Sequence, residues 1–221
     1  MSGIDLAREG HVFVLRIGDG ENRFNRQFVD DLCKALDEVE ASEGPAALVT
    51  TATGKFYSNG LDLEWMGGPG RERLGSFLAD VMSLLGRVLA LPLPTVAALN
   101  GHTFAMGALL AVAHDWRVMR RDRGYFCLPE IDLRLPFQPG MTAVLQAKLG
   151  PAALRDTVLT GARLGAEAAQ HLGIVDDAVA EPEVLPRAVA RAAALAEKDR
   201  ATLGALKRSL YAGALRVLEA A

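Results

Sequence analysis

Cysteine is scarce in this sequence: Cys33 and Cys127 are the only two among 221 residues. Two thiols do not make a disulfide framework, and the sequence has no Cys-x-x-Cys or Cys/His cluster that would indicate a metal site. We therefore interpret both cysteines as small apolar side chains that are buried in a reducing compartment.

The sequence also lacks an excess of one charge and long apolar runs. The 24 basic and 27 acidic residues give a formal net charge of −3, which gives no reason to expect nucleic acid or an anionic membrane as a partner. No apolar run reaches the roughly 18 residues of a membrane span. The N-terminus lacks the basic-then-apolar order of a signal peptide, and the C-terminal residues "RVLEAA" do not match a peroxisomal tripeptide. A cytoplasmic location is therefore expected.

Half of the residues are apolar, which is ample for a sizeable core. Hydrophobic periodicity and turn residues predict the order of the elements. Strands are predicted at residues 11–17, 46–51, 95–99, 115–121 and 125–128. Helices are predicted at 26–40, 77–91, 107–114, 139–150, 151–161, 182–197 and 200–219. The glycine-rich stretch 68–75 reads as a mobile loop. The pattern predicts an α/β half, residues 1–140, and a helical region, residues 141–221, in one continuous fold.

Two turns carry most of the functional signal. They are "SNGLD" (58–62) and "NGHTFAMGALLAVAHD" (100–115), and each follows a predicted buried strand. Their glycines suit a sharp bend or a close approach to a ligand. The second turn leads into a helix, whose first backbone N–H groups have no intrahelical partner and can stabilise a developing oxyanion.

A third segment, "GYFCLPEIDLRLPFQPG" (124–140), places Glu130 after a proline and between apolar residues. An apolar environment raises the pKa of a carboxyl group, which makes it a better proton carrier near neutrality. Together, the three segments predict an enzyme site built from backbone N–H donors and one carboxylate.

These segments resemble the motifs of the crotonase (enoyl-CoA hydratase/isomerase) superfamily. The first two match its oxyanion segments, "LPEIDLRL" matches its Pro-Glu-Ile segment, and "LTGARLGAEAAQHLGIVDDAV" matches a later one. The resemblance covers nearly the whole chain in the family's order. It implies an α/β, ClpP-like spiral of ββα units, usually a homotrimer or a dimer of trimers. It also implies an acyl-CoA thioester substrate and no metal or redox cofactor.

At the matching positions, the resemblance implies that the backbone N–H groups of Leu61 and Met106 form the oxyanion hole. It makes Glu130 the catalytic residue and places Leu109 where hydratases have their other glutamate. Gln138 stands near the position at which some isomerases of the family carry their glutamate. The positions that the resemblance assigns to substrate binding are Ser58, Gly60, Asp62, Gly107 and Leu109. Asp62 is also expected to fix its turn through local hydrogen bonds.

A site with one carboxylate is poorly suited to catalyse the addition of water to a double bond, but it can transfer one proton. The resemblance therefore implies a Δ3,Δ2-enoyl-CoA isomerase, and residues 114–133 look most like the plant-type branch. The alternatives are another crotonase reaction on a CoA thioester (hydration, hydrolysis or decarboxylation) and a catalytically silent homologue that binds acyl-CoA.

Several charged residues are open to more than one interpretation. Arg134 stands where the family commonly has glycine; it could pair with Asp132 or point towards Glu130 and lower its pKa, and we expect the outward direction. Lys55, the turn 120–123 and Lys207 are candidates for contacts with CoA phosphates, although a solvated turn explains 120–123 equally well. Structural roles are expected for His102 and His114.

Overall fold

Two β-sheets organise the chain in the computed structural model, which describes residues 3–220. Six strands form the larger sheet in the order β1-β2-β3-β5-β7-β9, and three short strands form the smaller sheet in the order β4-β6-β8. The pairing of β1 with β2 is antiparallel and the other pairings are parallel. The strands are β1 (Asp5–Glu9), β2 (Val12–Arg16), β3 (Ala47–Thr51), β4 (Phe56–Ser58), β5 (Thr95–Leu99), β6 (His102–Phe104), β7 (Trp116–Arg120), β8 (Phe126–Cys127) and β9 (Asp177–Val179).

Helices follow the strands and fill the C-terminal region. They are α1 (Arg26–Ala41), α2 (Leu63–Gly67), α3 (Leu74–Ala90), α4 (Met106–Ala113), α5 (Glu130–Leu133), α6 (Pro139–Lys148), α7 (Pro151–Val158), α8 (Ala166–His171), α9 (Glu181–Ala193), α10 (Arg200–Leu210) and α11 (Ala212–Glu219), with a 3₁₀ turn at Arg71–Arg73. None of the helices within residues 3–220 combines the length and the apolar character needed to cross a membrane.

The strands and helices repeat in a ββα order. A strand of the large sheet leads to a strand of the small sheet and then to a helix, as in β3-β4-α2, β5-β6-α4 and β7-β8-α5. Strands β3 and β5 are buried along their whole length, which explains why both are continuous apolar runs. The parallel order of the small sheet brings the C-terminal ends of β4, β6 and β8 to one edge.

Two apolar clusters lie on either side of the large sheet. The larger one joins the sheet to α1, α3, α4 and α6, and every residue of α4 is buried within it. The smaller one packs α9 against the other face. Residues beyond 140 also supply β9, which pairs with β7, and α11, which packs on α3 and α6.

Most of the predicted elements are confirmed, and several differ. The short strands β1, β4 and β6 were missed because runs of three to five half-polar residues carry little periodicity. Residues 200–219 form two helices that break at Tyr211. The predicted loop 68–75 contains the 3₁₀ turn and the start of α3, and here the Trp65 ring packs on Phe77 at a centroid distance of 4.8 Å.

Candidate active site

A cavity of about 400 Å³ opens at the edge where β4, β6 and β8 end. Four of the predicted site residues, Leu61, Met106, Leu109 and Glu130, line it together. Most of the remaining wall is apolar, and α5, the loop that follows it and α6 contribute part of it. A wider groove of about 640 Å³ between β1 and α1 contains none of the predicted site residues.

The turn after β4 leaves one backbone N–H group free. The buried Ser58 hydroxyl donates to Asn22 O (2.7 Å) and accepts from Gly60 N–H (3.2 Å). Phe24 N–H donates to Gly60 O (2.8 Å), and Asp62 N–H donates to Phe24 O (2.9 Å). Among the described residues, nothing accepts a hydrogen bond from Leu61 N–H. The peptide groups on either side of this donor are thus held in place while the donor itself is unused.

The turn after β6 presents a second free N–H group. Ala105 has a φ of +49°, a conformation that costs a residue with a side chain about 1–3 kcal/mol. Its N–H donates to Cys127 O and its carbonyl accepts from Leu109 N–H, both at 3.0 Å. These two bonds hold Ala105 in the strained conformation at the start of α4. Met106 N–H donates to no acceptor within residues 3–220.

Glycine allows the two turns to approach each other. A Cβ placed on Gly60 would lie 2.8 Å from the Ala105 Cβ and 3.3 Å from Met106 N. A Cβ on Gly107 would lie 2.6 Å from the Ser58 Cβ. The distances of 2.8 Å and 2.6 Å are shorter than real Cβ contacts, so any larger residue at either position would push the turns apart. The free N–H groups of Leu61 and Met106 are therefore neighbours on one wall of the cavity.

Glu130 is the carboxyl group of this cavity, at the first residue of α5. Burial raises its pKa to about 7, because a low-dielectric environment disfavours the charged form. Its Oε2 atom is buried and has no hydrogen-bond partner among the described residues. A carboxyl oxygen without a partner is free to exchange a proton with a ligand.

The raised pKa predicts how stability changes with pH. The folded protein holds the Glu130 proton more tightly than the unfolded chain does, so this group's stabilising contribution is present below about pH 4.5 and is lost as the pH rises through about 7. As the pH rises from 5 to 8, we expect the free energy of unfolding of Glu130→Gln, measured in urea, to increase relative to that of the wild type. Asp132→Asn is the control, since Asp132 is an exposed carboxylate on the same helix. If the difference in unfolding free energy between Glu130→Gln and the wild type were the same at pH 5 and at pH 8, this result would contradict a raised pKa of Glu130.

The other predicted substrate-binding residues shape the site without lining it. Ser58, Gly60, Asp62 and Gly107 are not among the residues of the cavity wall. Asp62 caps α2 by accepting a hydrogen bond from Trp65 N–H (3.0 Å), as expected from its place after the turn. The role of these four residues is to build the turns, whereas Leu109 is part of the wall.

Arg134 is exposed and ends α5 with a φ of +57°. Its expected outward direction is confirmed. The pairing with Asp132, which was one interpretation of Arg134, is not formed, because no ion pair joins the two side chains in the part of the chain described. Burial alone explains the raised pKa of Glu130, and Arg134 does not oppose it.

Lys207, a candidate for contacts with CoA phosphates, does not have that role. Its Nζ atom is buried, donates to Leu93 O (2.7 Å) and pairs with Asp115 (2.6 Å), so it cannot reach a CoA phosphate. His114 is fully buried between Thr50 (3.0 Å) and Leu110 O (2.8 Å), which confirms a structural role. Of the two cysteines, Cys127 is buried as expected and Cys33 is only half-buried.

Sequence reasoning missed several residues of the cavity wall. Arg163, Cys127 and Met141 come from three separate parts of the chain and meet only in the folded protein. Arg163 lies within the segment "LTGARLG", which carried part of the resemblance, but nothing in the sequence places it in the same cavity as Glu130. Its position depends on an isolated bridge between Phe126 and Leu164.

The chain belongs to the enoyl-CoA hydratase/isomerase family, whose family model matches residues 8–221. It is 38% identical over 186 residues to "Enoyl-CoA delta isomerase 2, peroxisomal" of Arabidopsis thaliana, covering 80% of this chain and 78% of the relative. It is 34% identical to "Enoyl-CoA delta isomerase 3" of the same plant, covering 97% and 94%. The structure of human mitochondrial delta3-delta2-enoyl-CoA isomerase superposes with a TM-score of 0.89 at 24% identity, over 97% of this chain and 85% of that one. The predicted family and crotonase fold are confirmed.

Proposed function

We propose that this protein is a Δ3,Δ2-enoyl-CoA isomerase with Glu130 as its proton carrier. The observation that carries the proposal is the free, buried Oε2 of Glu130 in the cavity where two unused N–H groups meet. Leu109 occupies the position at which the family's hydratases carry their other glutamate, and leucine cannot exchange a proton. The names of the plant relatives support the same reaction.

The proposed reaction moves one proton between two carbons of the same acyl chain. The Glu130 carboxylate removes a proton from C2 of a 3-enoyl thioester, and the C–H electron pair moves towards the thioester carbonyl to form a dienolate. The N–H groups of Leu61 and Met106 donate hydrogen bonds to the oxygen, which has become negative. Protonated Glu130 then returns the proton to C4, and the double bond comes to lie between C2 and C3.

The environment of Glu130 suits this cycle. A pKa of about 7 makes both proton removal and proton return accessible near neutral pH. Among residues 3–220, no second carboxyl group lines the cavity to activate a water molecule for addition. One carboxyl group that works as base and then as acid is all that isomerisation requires.

A spectroscopic assay tests the proposal. Purified protein is mixed with 3-cis- and with 3-trans-enoyl-CoA, and the absorbance of the conjugated 2-enoyl thioester is recorded over time. We expect conjugated product to form without added metal or redox cofactor. Tight binding of acyl-CoA with no product from any substrate would instead identify a silent homologue, and a hydrated or hydrolysed product would identify another crotonase reaction.

The assembly, the cofactor requirement and the location belong to the same proposal. A homotrimer or a dimer of trimers is expected from family membership, and light scattering of the purified protein measures it. Residues 3–220 contain no cluster of three or more potential metal ligands. A cytoplasmic location stays a prediction, since the names of two of the Arabidopsis relatives place those proteins in peroxisomes.

A further inference from the structure

The helix that carries Glu130 is a single turn at the surface of the protein. Glu130 is half-buried, and residues 131–133, the rest of α5, are exposed. The turn is closed by hydrogen bonds from the N–H groups of residues 132 and 133 to Pro129 O, both at 3.0 Å. One turn of helix is not stable by itself, because nucleation of a helix is unfavourable. Contacts with the rest of the protein must therefore hold α5, and with it the Glu130 carboxyl group, against the cavity.

A segment from a distant part of the chain lies beside this turn. We call residues 161–164 the brace segment. At its end, Leu164 pairs with Phe126 of β8 in an isolated antiparallel bridge, in which each N–H group donates to the carbonyl oxygen of the other residue (2.8 and 2.9 Å). At its beginning, the buried Gly161 accepts a hydrogen bond from the Cys127 thiol (3.3 Å). The brace segment is thus attached at both ends to β8, the strand that leads into α5.

Gly161 lies directly against α5. A Cβ placed on Gly161 would lie 2.6 Å from Asp132 Oδ2 and 3.1 Å from Ile131 Cγ2. Gly161 has a φ of +64°, and its N–H donates to Thr157 O (3.0 Å) at the end of α7. Glycine adopts this backbone conformation without strain. Position 161 therefore requires glycine for two reasons, the conformation of its own backbone and the close approach of α5.

Cys127 connects the brace segment to the turn that presents Met106. The Cys127 carbonyl oxygen accepts a hydrogen bond from Ala105 N–H (3.0 Å) in that turn, while the Cys127 thiol donates to Gly161 O. Cys127 is itself buried and lines the cavity. One residue of β8 thus joins the turn with the proposed oxyanion donor to the segment that packs on α5. The separation between the donor and Glu130 depends on this series of contacts.

We propose that Gly161 is a positioning residue, which keeps α5 close to the cavity so that Glu130 reaches a ligand held by the two N–H donors. Gly161 is not among the residues of the cavity wall, so it acts through α5 and not on the ligand. Displacement of a reacting group by about 1 Å can lower a rate by about 10²-fold. The catalytic part of this inference rests on the proposed function, whereas the position of Glu130 can be measured without a substrate.

The pKa of Glu130 reports the position of α5. The titratable groups that line the cavity or share α5 with Glu130 are Arg23, Cys127, Arg163 and Asp132. None of these four groups causes the raised pKa of Glu130, which burial alone brings to about 7. If α5 moves outwards, water reaches the Glu130 carboxyl group and its pKa should fall towards 4.5.

The test is Gly161→Val in the full-length protein, because valine has no space beside Asp132 and Ile131 and α5 must move. Isotope-labelled glutamate carboxyl groups of wild type and variant are titrated by NMR without any ligand, and Glu130→Gln identifies the Glu130 signal. We expect the Glu130 midpoint to fall from about 7 towards 4.5 in Gly161→Val. In the spectroscopic assay, kcat should fall by about 10²-fold. The midpoint of the pH profile of kcat/KM, which reports the free enzyme, should shift in the same direction as the NMR midpoint.

Gly173→Val is the matched control. Gly173 has nearly the same φ, +70°, but a Cβ placed on it would meet no atom within 4 Å. Valine at this position should therefore cost stability without moving the Glu130 midpoint or the rate. Gly161→Ala should cause the same changes as Gly161→Val to a smaller extent. The double variant Gly161→Ala/Asp132→Ala, which lacks the carboxylate that the new Cβ would strike, should approach the values of Asp132→Ala alone.

The outcomes separate this inference from the proposed function. An unshifted Glu130 midpoint and an unchanged rate in the folded Gly161 variants would overturn the inference and leave the proposed function intact, and so would equal effects of Gly161→Val and Gly173→Val. A midpoint that shifts although the wild type isomerises no 3-enoyl-CoA would overturn the proposed function and support the role of Gly161 in holding α5. If Gly161→Val does not fold, Gly161→Ala and its double variant decide between the same outcomes.

Discussion

Replacing Glu130 by glutamine is expected to lower the isomerisation rate by about 10²–10⁴, the usual contribution of general acid–base transfer. Glutamine has nearly the same shape as glutamic acid but cannot take a proton from C2 or return one to C4. Glutamine should fit the cavity because the substitution breaks no strong contact. One oxygen of the Glu130 carboxyl group has no hydrogen-bond partner among the described residues, and no charged partner acts on the group. The loss should therefore appear in kcat, with KM changing much less.

The controls for this variant separate chemistry from folding. Asp132→Asn removes a carboxylate from the same short helix, but Asp132 is not part of the cavity wall, so its rate should stay close to that of the wild type. Thermal unfolding of Glu130→Gln should show a folded protein. The wild-type rate should also fall below about pH 7, where Glu130 becomes protonated. Near-normal turnover by Glu130→Gln would remove Glu130 from the mechanism.

The second large effect is expected from Gly60→Ala, which should lower the rate by about 10²–10³, as the loss of one donor to an oxyanion does. The new Cβ would lie 2.8 Å from the Ala105 Cβ and 3.2 Å from Phe104 O. The turns that carry Leu61 and Met106 must then separate, and their N–H groups no longer converge on one oxygen. Gly60 has a φ of +84°, so alanine also adds strain of about 1–3 kcal/mol, visible as easier unfolding in urea.

Two further variants isolate the effect of the contact. Gly10→Ala also places alanine at a positive φ, +62°, but meets no atom within 4 Å; it should cost stability without changing the rate. Ala105→Gly removes the Cβ that the Gly60→Ala side chain would strike. The double variant Gly60→Ala/Ala105→Gly should therefore recover part of the activity. If Gly60→Ala lost stability but kept its full rate, the spacing of the two turns would not matter for catalysis.

The sequence alone determined much of the fold and the chemical composition of the site. Strand β5 coincides with the predicted run 95–99, and α1 and α3 follow their predicted spacing within a few residues. These predictions hold because a buried strand is a short continuous apolar run, and the apolar residues of an amphipathic helix recur at helical spacing. Both patterns are visible within a short stretch of sequence. The raised pKa of Glu130 also agrees with its apolar neighbours in the sequence.

Only the tertiary structure decided how these parts meet. The small sheet brings the ends of β4, β6 and β8 to one edge, and this juxtaposition depends on pairings between residues more than twenty positions apart, such as Phe56 with His102 and Thr103 with Phe126. The same folding takes Lys207 away from the ligand and into a pair with Asp115, and it places Arg163 beside the cavity. Sequence patterns report what each segment buries. They do not report which segment it is buried against, because that depends on packing between distant parts of the chain.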